Sequence, residues 1–309
     1  MMNNLMMIMN LKKSGIMKFK ISNEIKLSLP SLLWLLVFFM IPTVIVVLIS
    51  FKNPDPFGGI GVGWSINGFS DIMNSYFAVI LWRTVKLSLL TTIICLLLAM
   101  PVAIYMAKAD AKIQNLLLLL IVIPFWTNFL IRIYAWKTVL HPEGFLKKIF
   151  FTFGLVPENG SLLYNEGAVL LVLVYAYLPF AILPLYTAIE KFDFRLIEAA
   201  RDLGSGAVRS FVKIFLPGIS QGIISAVMVV FIPALGSYVI PDMVGGPDGE
   251  MLGNKIAQMV FIDRNLPKGS ALSTLLILAV ILPGLIRIFI KKSNLTEAIA
   301  RHKRPKVMQ

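Results

Sequence analysis

Tyr238 and Asp242 stand four residues apart, about one helical turn, in the stretch 236–247. A carboxylate next to a phenol ring at that spacing could receive a cation, by charge and by the negative face of the ring. A second stretch, residues 124–136, gathers Phe125, Trp126, Phe129, Tyr134 and Trp136 around Asn128 and Arg132. Aromatic faces at that density suit alkylammonium groups, with Trp126 and Asn128 as the expected contacts. Both stretches have a plainer reading. Asp242 can be a solvated loop acid, and the aromatics an interfacial belt with Arg132 reaching outward.

Bond-making chemistry is not spelled anywhere. The glycine-rich residues 245–253 run into Asn254-Lys255 and lack the Gly-Lys-Ser/Thr order that cradles phosphates. His141 and His302 are the only histidines and lie far apart, so neither a metal cluster nor a base for a nucleophile is expected. Cys95 is the sole cysteine, which rules out a disulfide within the chain. No catalytic residue, metal or cofactor is expected, and any energy source has to come from a partner.

One polar island, residues 191–217, interrupts the apolar chain. Asp193 can cap a helix with the apolar stripe Leu196, Ala199, Ala200 and Leu203. Gly204 is the expected stop, because it adopts the left-handed conformation without a steric cost. Ser205 can cap a second helix with the stripe Val208, Phe211, Val212 and Phe215, ended by Leu216-Pro217. The spelling Glu198-Ala199-Ala200, three residues, Gly204, then Phe211, Ile214, Leu216 and Pro217 resembles the EAA loop of ABC importer permeases. That resemblance implies a coupling elbow that docks in a cleft of a separate ATPase subunit. The plain alternative is an amphipathic helix lying on the bilayer surface.

The elements that must position these residues are membrane helices. The chain is 309 residues long, 58% hydrophobic and 15% charged, with a mean hydropathy of +0.82. Soluble domains carry about 25% charged residues. Six runs near 27–50, 84–107, 113–133, 167–189, 218–240 and 270–290 are long enough to span. Pro42, Pro101, Pro124, Pro179, Pro184, Pro233 and Pro283 fall in them and predict kinks; Gly218, Gly222 and Ala226 predict a close helix contact. Segment 51–83 reads as a loop with one interfacial helix.

The net charge of +13 lies beside the apolar runs, a membrane pattern and not a nucleic-acid one. Five N-terminal lysines, Lys108 with Lys112, five bases in 191–213 and seven from Arg287 onward make 19 of the 29 basic residues, all on one predicted side. That side, with both termini, is therefore expected to be cytoplasmic. Glu158 and Asp248 are expected outside. Residues 1–26 read as a cytoplasmic segment before an uncleaved first span, with Met17 fitting an initiator. Residues 27–290 form the six-helix domain with the loop 191–217, and 291–309 a basic cytoplasmic tail.

The stretches 124–136 and 239–247, within a likeness running from about Leu27 to Arg287, resemble the B-type permease of spermidine/putrescine ABC importers. The resemblance implies an all-α, polytopic type I importer permease of MetI-like fold in a bacterial inner membrane. It also implies a second, homologous permease, two copies of a cytoplasmic ATPase and an extracytoplasmic polyamine-binding protein. Two rivals stay open: a permease of the same class for iron, sulfate, thiamine or another small solute, and a secondary transporter. The latter would usually hold an ionisable residue deep in a span, and Lys86, Arg132 and Arg287 all fall near predicted ends.

Overall fold

A computed structural model describes residues 23–72, 75–152 and 160–281. The N-terminal residues through 22, Glu158, and the end of the sixth run with the basic tail therefore lie outside the described residues. The chain divides into two compact units, Met1–Leu48 and Ile49–Gln309. In the first, α1 (Asn23–Leu35) passes through a π turn, Leu36–Met40, into α2 (Ile41–Ile49). The continuous apolar stretch Leu27–Ile49 has 23 residues. At 1.5 Å per residue that is about 35 Å, enough to cross a hydrocarbon core of about 30 Å.

The second unit begins with an antiparallel hairpin, β1 (Lys52–Pro54) and β2 (Ile60–Trp64), with Lys52 opposite Trp64 and Pro54 opposite Ile60. Gly58 and Gly59 turn it at φ of 98° and 101°, a region open to glycine. Helix α3 (Asn67–Ile72) follows. The expected loop at 51–83 is thus a hairpin, a short helix and the first turns of the next span. Helix α4 (Ser75–Lys108) starts nine residues before the predicted 84, because the run Phe77 to Trp82 is itself apolar and the span reaches back to Tyr76.

Helix α5 (Ala111–Val122) and a 3-10 turn, Ile123–Trp126, are followed by α6 (Phe129–Val139) after a 90° bend. The single helix expected at 113–133 is therefore broken at Thr127-Asn128. Helix α7 (Phe145–Thr152) leads to α8 (Glu166–Glu190), which matches the expected 167–189. Then come α9 (Arg195–Asp202) and α10 (Ala207–Ser210), a π turn at Phe211–Phe215 and a last turn to Gly218. After a 69° bend the chain continues as α11 (Ser220–Leu235). A π turn at Pro241–Gly245 and a 3-10 turn at Pro247–Gly249 precede α12 (Leu252–Phe261) and α13 (Leu266–Ile281). Among the described residues, three single helices and two bent pairs are long and apolar enough to cross a membrane, and α13 begins where the sixth run was expected. The count is compatible with six spans.

The two large bends follow Pro124 and Pro217, whereas Pro101, Pro179, Pro184 and Pro233 sit inside continuous helices. Helices α4, α8 and α11 form the centre of the unit around Cys95, Ala99, Ala103, Ala181, Leu185 and Ala226. Small side chains let the backbones approach closely where lipid offers no hydrophobic drive. A methyl on Gly222 would overlap Ala188, and one on Gly218 would overlap the Phe192 ring, so the predicted small-residue row is a packing seam. A second cluster, including Leu87, Ile133, Leu173, Val244 and Met251, closes the Tyr76 end of the bundle.

Candidate functional site

The two ends of α4 meet two different sites. At the Lys108 end lies the polar island, folded as an elbow. Asp193 does not hold the N-cap of α9, which is Phe194 and makes no side-chain cap bond; the Asp193 carboxylate instead accepts from the Arg195 amide at 3.0 Å, two residues on. At the other end of α9, Gly204 has φ +84°, its amide donates to Arg201 O at 2.9 Å, and the Ser205 amide donates to Ala200 O at 2.9 Å. That pair of bonds is the Schellman stop. No atom would crowd a Cβ on Gly204, so backbone conformation alone requires glycine there.

Ser205 does not cap the second helix. Gly206 holds that position, while Ser205 Oγ accepts from the buried Ser210 Oγ at 3.1 Å. The predicted stripes also divide differently. Helix α9 packs inward through the half-buried Ile197 and Ala200, leaving Leu196, Ala199 and Leu203 exposed, Leu203 at 89%. In the second helix the π turn shifts the register. Phe215 is buried against Phe192, Phe194 and Phe211, while Val208 is 77% exposed. Of the motif residues, Glu198, Ala199, Gly204, Phe211 and Pro217 are exposed, and Ala200, Ile214 and Leu216 are half-buried. An apolar groove of about 470 Å³ runs between α9, α10 and the end of α4, walled by Ile104, Phe194, Ile197, Val208 and Phe211. Glu198, Arg201 and Lys108 stand at it, the last with its ammonium 4.7 Å over the Phe194 ring.

At the Tyr76 end lies a cleft of about 590 Å³, walled by α4, the turns after α11, and α12, with charged side chains set in a largely apolar lining. Tyr238 and Asp242 both line it, and the Asp242 amide donates to Tyr238 O at 3.1 Å, so the two are one turn apart as the spacing predicts. Among the described residues, the Asp242 carboxylate has neither an ion pair nor a hydrogen bond. A second carboxylate, Glu250, faces the same space. It accepts from the Tyr76 hydroxyl at 2.7 Å and lies 3.8 Å from the Lys255 ammonium. Arg83 lines the cleft too. Its Nε donates to Glu166 at 3.0 Å and its Nη1 to Pro247 O at 3.2 Å, while Lys86 pairs with the other Glu166 oxygen. Lys86, expected near the end of a span, thus lies inside the continuous helix α4 one turn beyond Arg83, and the shared Glu166 carboxylate offsets both charges.

Backbone contacts fix this wall. Thr84 Oγ1 accepts from the Leu252 amide at 2.9 Å, which joins the start of α12 to α4, and Asn254 Oδ1 accepts from the Met251 amide at 2.7 Å within that start. A side chain on Gly253 would overlap Ser237 O. Tyr76, Arg83 and Glu250 were missed in sequence. The available signal was an acid eight residues after Asp242, across the Gly-Gly-Pro-Asp-Gly turn.

Trp126 and Asn128 do not join the cleft. Trp126 ends the 3-10 turn, 77% exposed, and the Asn128 carboxamide caps α6 by accepting from the Leu130 amide at 2.8 Å. Their aromatic neighbours pack on α8, Phe125 against Phe180 at 5.0 Å and Trp136 against Tyr175 at 5.2 Å. Arg132 lies 5.7 Å from the Phe125 and Phe129 rings.

Residues 89–293 match the family described as binding-protein-dependent transport system inner membrane component. The spermidine/putrescine transport system permease protein PotB of Haemophilus influenzae is 41% identical over 240 residues, 78% of this chain and 84% of that one. PotB of Escherichia coli K12 is 34% identical over 240 residues, 78% of this chain and 87% of that one. Among solved structures, a bacterial ABC transporter that imports the acidic polysaccharide alginate superposes with a TM-score of 0.63, covering 87% of this chain and 94% of that chain at 15% identity. At that identity the likeness speaks for the fold. A bacterial alginate ABC transporter in complex with alginate pentasaccharide-bound periplasmic protein superposes with a TM-score of 0.61 at 14% identity, covering 86% of this chain and 95% of that one.

Proposed function

The chain belongs to the binding-protein-dependent transport system inner membrane component family, and on that premise we propose that it is the permease subunit of an ATP-driven importer of spermidine and putrescine. The cargo assignment is carried by one observation: two carboxylates, Asp242 and Glu250, line one cleft beside the rings of Tyr76 and Tyr238. A multiply charged alkylammonium chain needs such separated weak sites, since a single tight anionic site would not release it. The identity to spermidine/putrescine permeases supports the same cargo.

In this reading the Lys108 end is cytoplasmic and the cleft opens outside, in accord with the basic-residue asymmetry. Two copies of an ATPase serve the importer, one of them seated on the elbow through Glu198, Ala199, Gly204 and the exposed Leu203, while Phe211, Ile214, Leu216 and Pro217 tie the elbow to the bundle. A homologous permease completes the path, and an extracytoplasmic binding protein delivers polyamine to the cleft. Trp126 and Asn128 are assigned to the path with a smaller share, on the aromatic stretch beyond the cleft. The permease domain is 27–290, with cytoplasmic segments at 1–26 and 291–309. ATPase closure biases a bundle with two states, one open to the cleft and one open inward.

Uptake of labelled spermidine by the reconstituted importer, with sulfate, thiamine and iron as competitors, tests the cargo. Polyamine uptake untouched by those competitors is expected, and uptake of another solute in its place would overturn the assignment. Orientation is tested by single cysteines in a Cys95→Ser background. Position 248 should label from outside intact cells and position 202 should not.

A further inference from the structure

An alkylammonium of the protein's own, on Lys255, reaches three residues of the cleft wall. The Lys255 ammonium lies 3.8 Å from Glu250 Oε1 and 5.4 Å from the centre of the Tyr76 ring, and donates to Gln258 Oε1 at 2.9 Å. Glu250, Tyr76 and Gln258 all line the cleft. The Lys255 side chain is only 13% exposed and that of Glu250 21%, so solvent does not dilute the contact fully. A lysine side chain is an ammonium on a four-carbon stem, the same group that ends a putrescine or the long arm of a spermidine. The carboxylate and the ring contribute charge attraction and a cation–π contact, the two forces by which a free aminobutyl end would be held. The 3.8 Å separation is too long for a hydrogen bond, whereas the bond to Gln258, three residues on along α12, is short. Gln258 is thus the ammonium's present hydrogen-bond acceptor, and Lys255 keeps that anchor when its longer contact with Glu250 is lost.

We propose that Lys255 is a tethered competitor: its ammonium occupies the Glu250–Tyr76 subsite until a terminal ammonium of the cargo displaces it. The inference rests on the polyamine reading of the same cleft. Occupation by a tethered group weakens the subsite for cargo and speeds its release, as transport requires.

The test uses the whole complex, both permeases with the ATPase, in nanodiscs without the binding protein, and measures retention of labelled spermidine by equilibrium dialysis. Lys255→Met, and independently Lys255→Gln, should tighten retention roughly fivefold. Glu250→Gln should weaken it, and adding Lys255→Met to Glu250→Gln should give no further gain. Each variant is scored in complexes that co-purify with the ATPase at the parental ratio. Unchanged or weaker retention in both lysine variants, with polyamine uptake by the parent intact, would overturn the tethered competitor alone. A parent importer that takes up no polyamine would overturn the cargo reading and this inference together.

Discussion

The elbow and the cleft lie at opposite ends of the same three helices, and their surfaces are built in opposite ways. The elbow leaves apolar groups unburied: Leu203, Val208 and Leu196 face outward beside an open apolar groove. The cleft carries three charged residues among its lining, Arg83, Asp242 and Glu250, and two of them already have partners within the chain, Arg83 on Glu166, Glu250 on Tyr76 and Lys255. An exposed apolar rim calls for a protein surface that stays in place. A cleft with one unpaired carboxylate and the rest internally balanced calls for a solute that comes and goes. On the proposed reading, the contrast separates a docking face for the ATPase from a binding space for the solute in one small unit.

Breaking the elbow should have the largest effect. Gly204→Val puts a β-branched residue at φ +84°, where such residues are strained, and Glu198→Lys reverses a charge at the exposed face. Each should reduce uptake to background while the protein still inserts, as read by uptake and membrane immunoblot; normal transport in both would remove the elbow from coupling. Next comes Glu166→Gln, which leaves Arg83 and Lys86 without their shared acid at the cleft. A repelled cation should enter about tenfold more slowly, with a deficit that narrows as salt screens the field. Initial rates at two ionic strengths check this. Asp242→Asn removes the unpaired carboxylate at a cost of about 1 kcal/mol, or about fivefold in uptake. Smallest is Trp126→Leu, outside the cleft, expected to lower uptake about twofold. A Trp126 effect larger than that of Asp242 would move the cargo path from the cleft to the broken span.

The same contrast decided what could be read in sequence. The elbow was legible because its determinants are consecutive: the Asp193 turn before α9, the Gly204 stop and the motif residues lie within a few positions. Which face of α9 turns inward was not legible, since Ile197 and Leu196 are equally apolar and only the packed Phe192–Phe194–Phe215 cluster selects between them. In the cleft, Tyr238 and Asp242 were legible as neighbours one turn apart. The Tyr76–Glu250 bond joins residues 174 positions apart, a distance local pattern does not reach. The break before α6 had signals, Pro124 and the capping Asn128, but a continuous apolar run masked them. The hairpin at 52–64 was hidden by glycine and proline, which mark loops and tight turns alike.

Helix α4 lines both sites, with Tyr76 in the cleft and Ile104 and Lys108 at the groove. Its 34 residues run without a break in the hydrogen-bond ladder long enough to end the helix. At 1.5 Å per residue the helix is about 51 Å long, well beyond the thickness of the hydrocarbon core. Such a helix acts as a lever arm. If the seam with α8 and α11 serves as its fulcrum, a tilt of about 5° displaces the far end by about 4 Å relative to the near one. That is comparable to the 3.8 Å now separating Lys255 from Glu250. On the proposed coupling, a small swing at the elbow would carry Tyr76, at the tip of α4, against its Glu250 contact in the cleft.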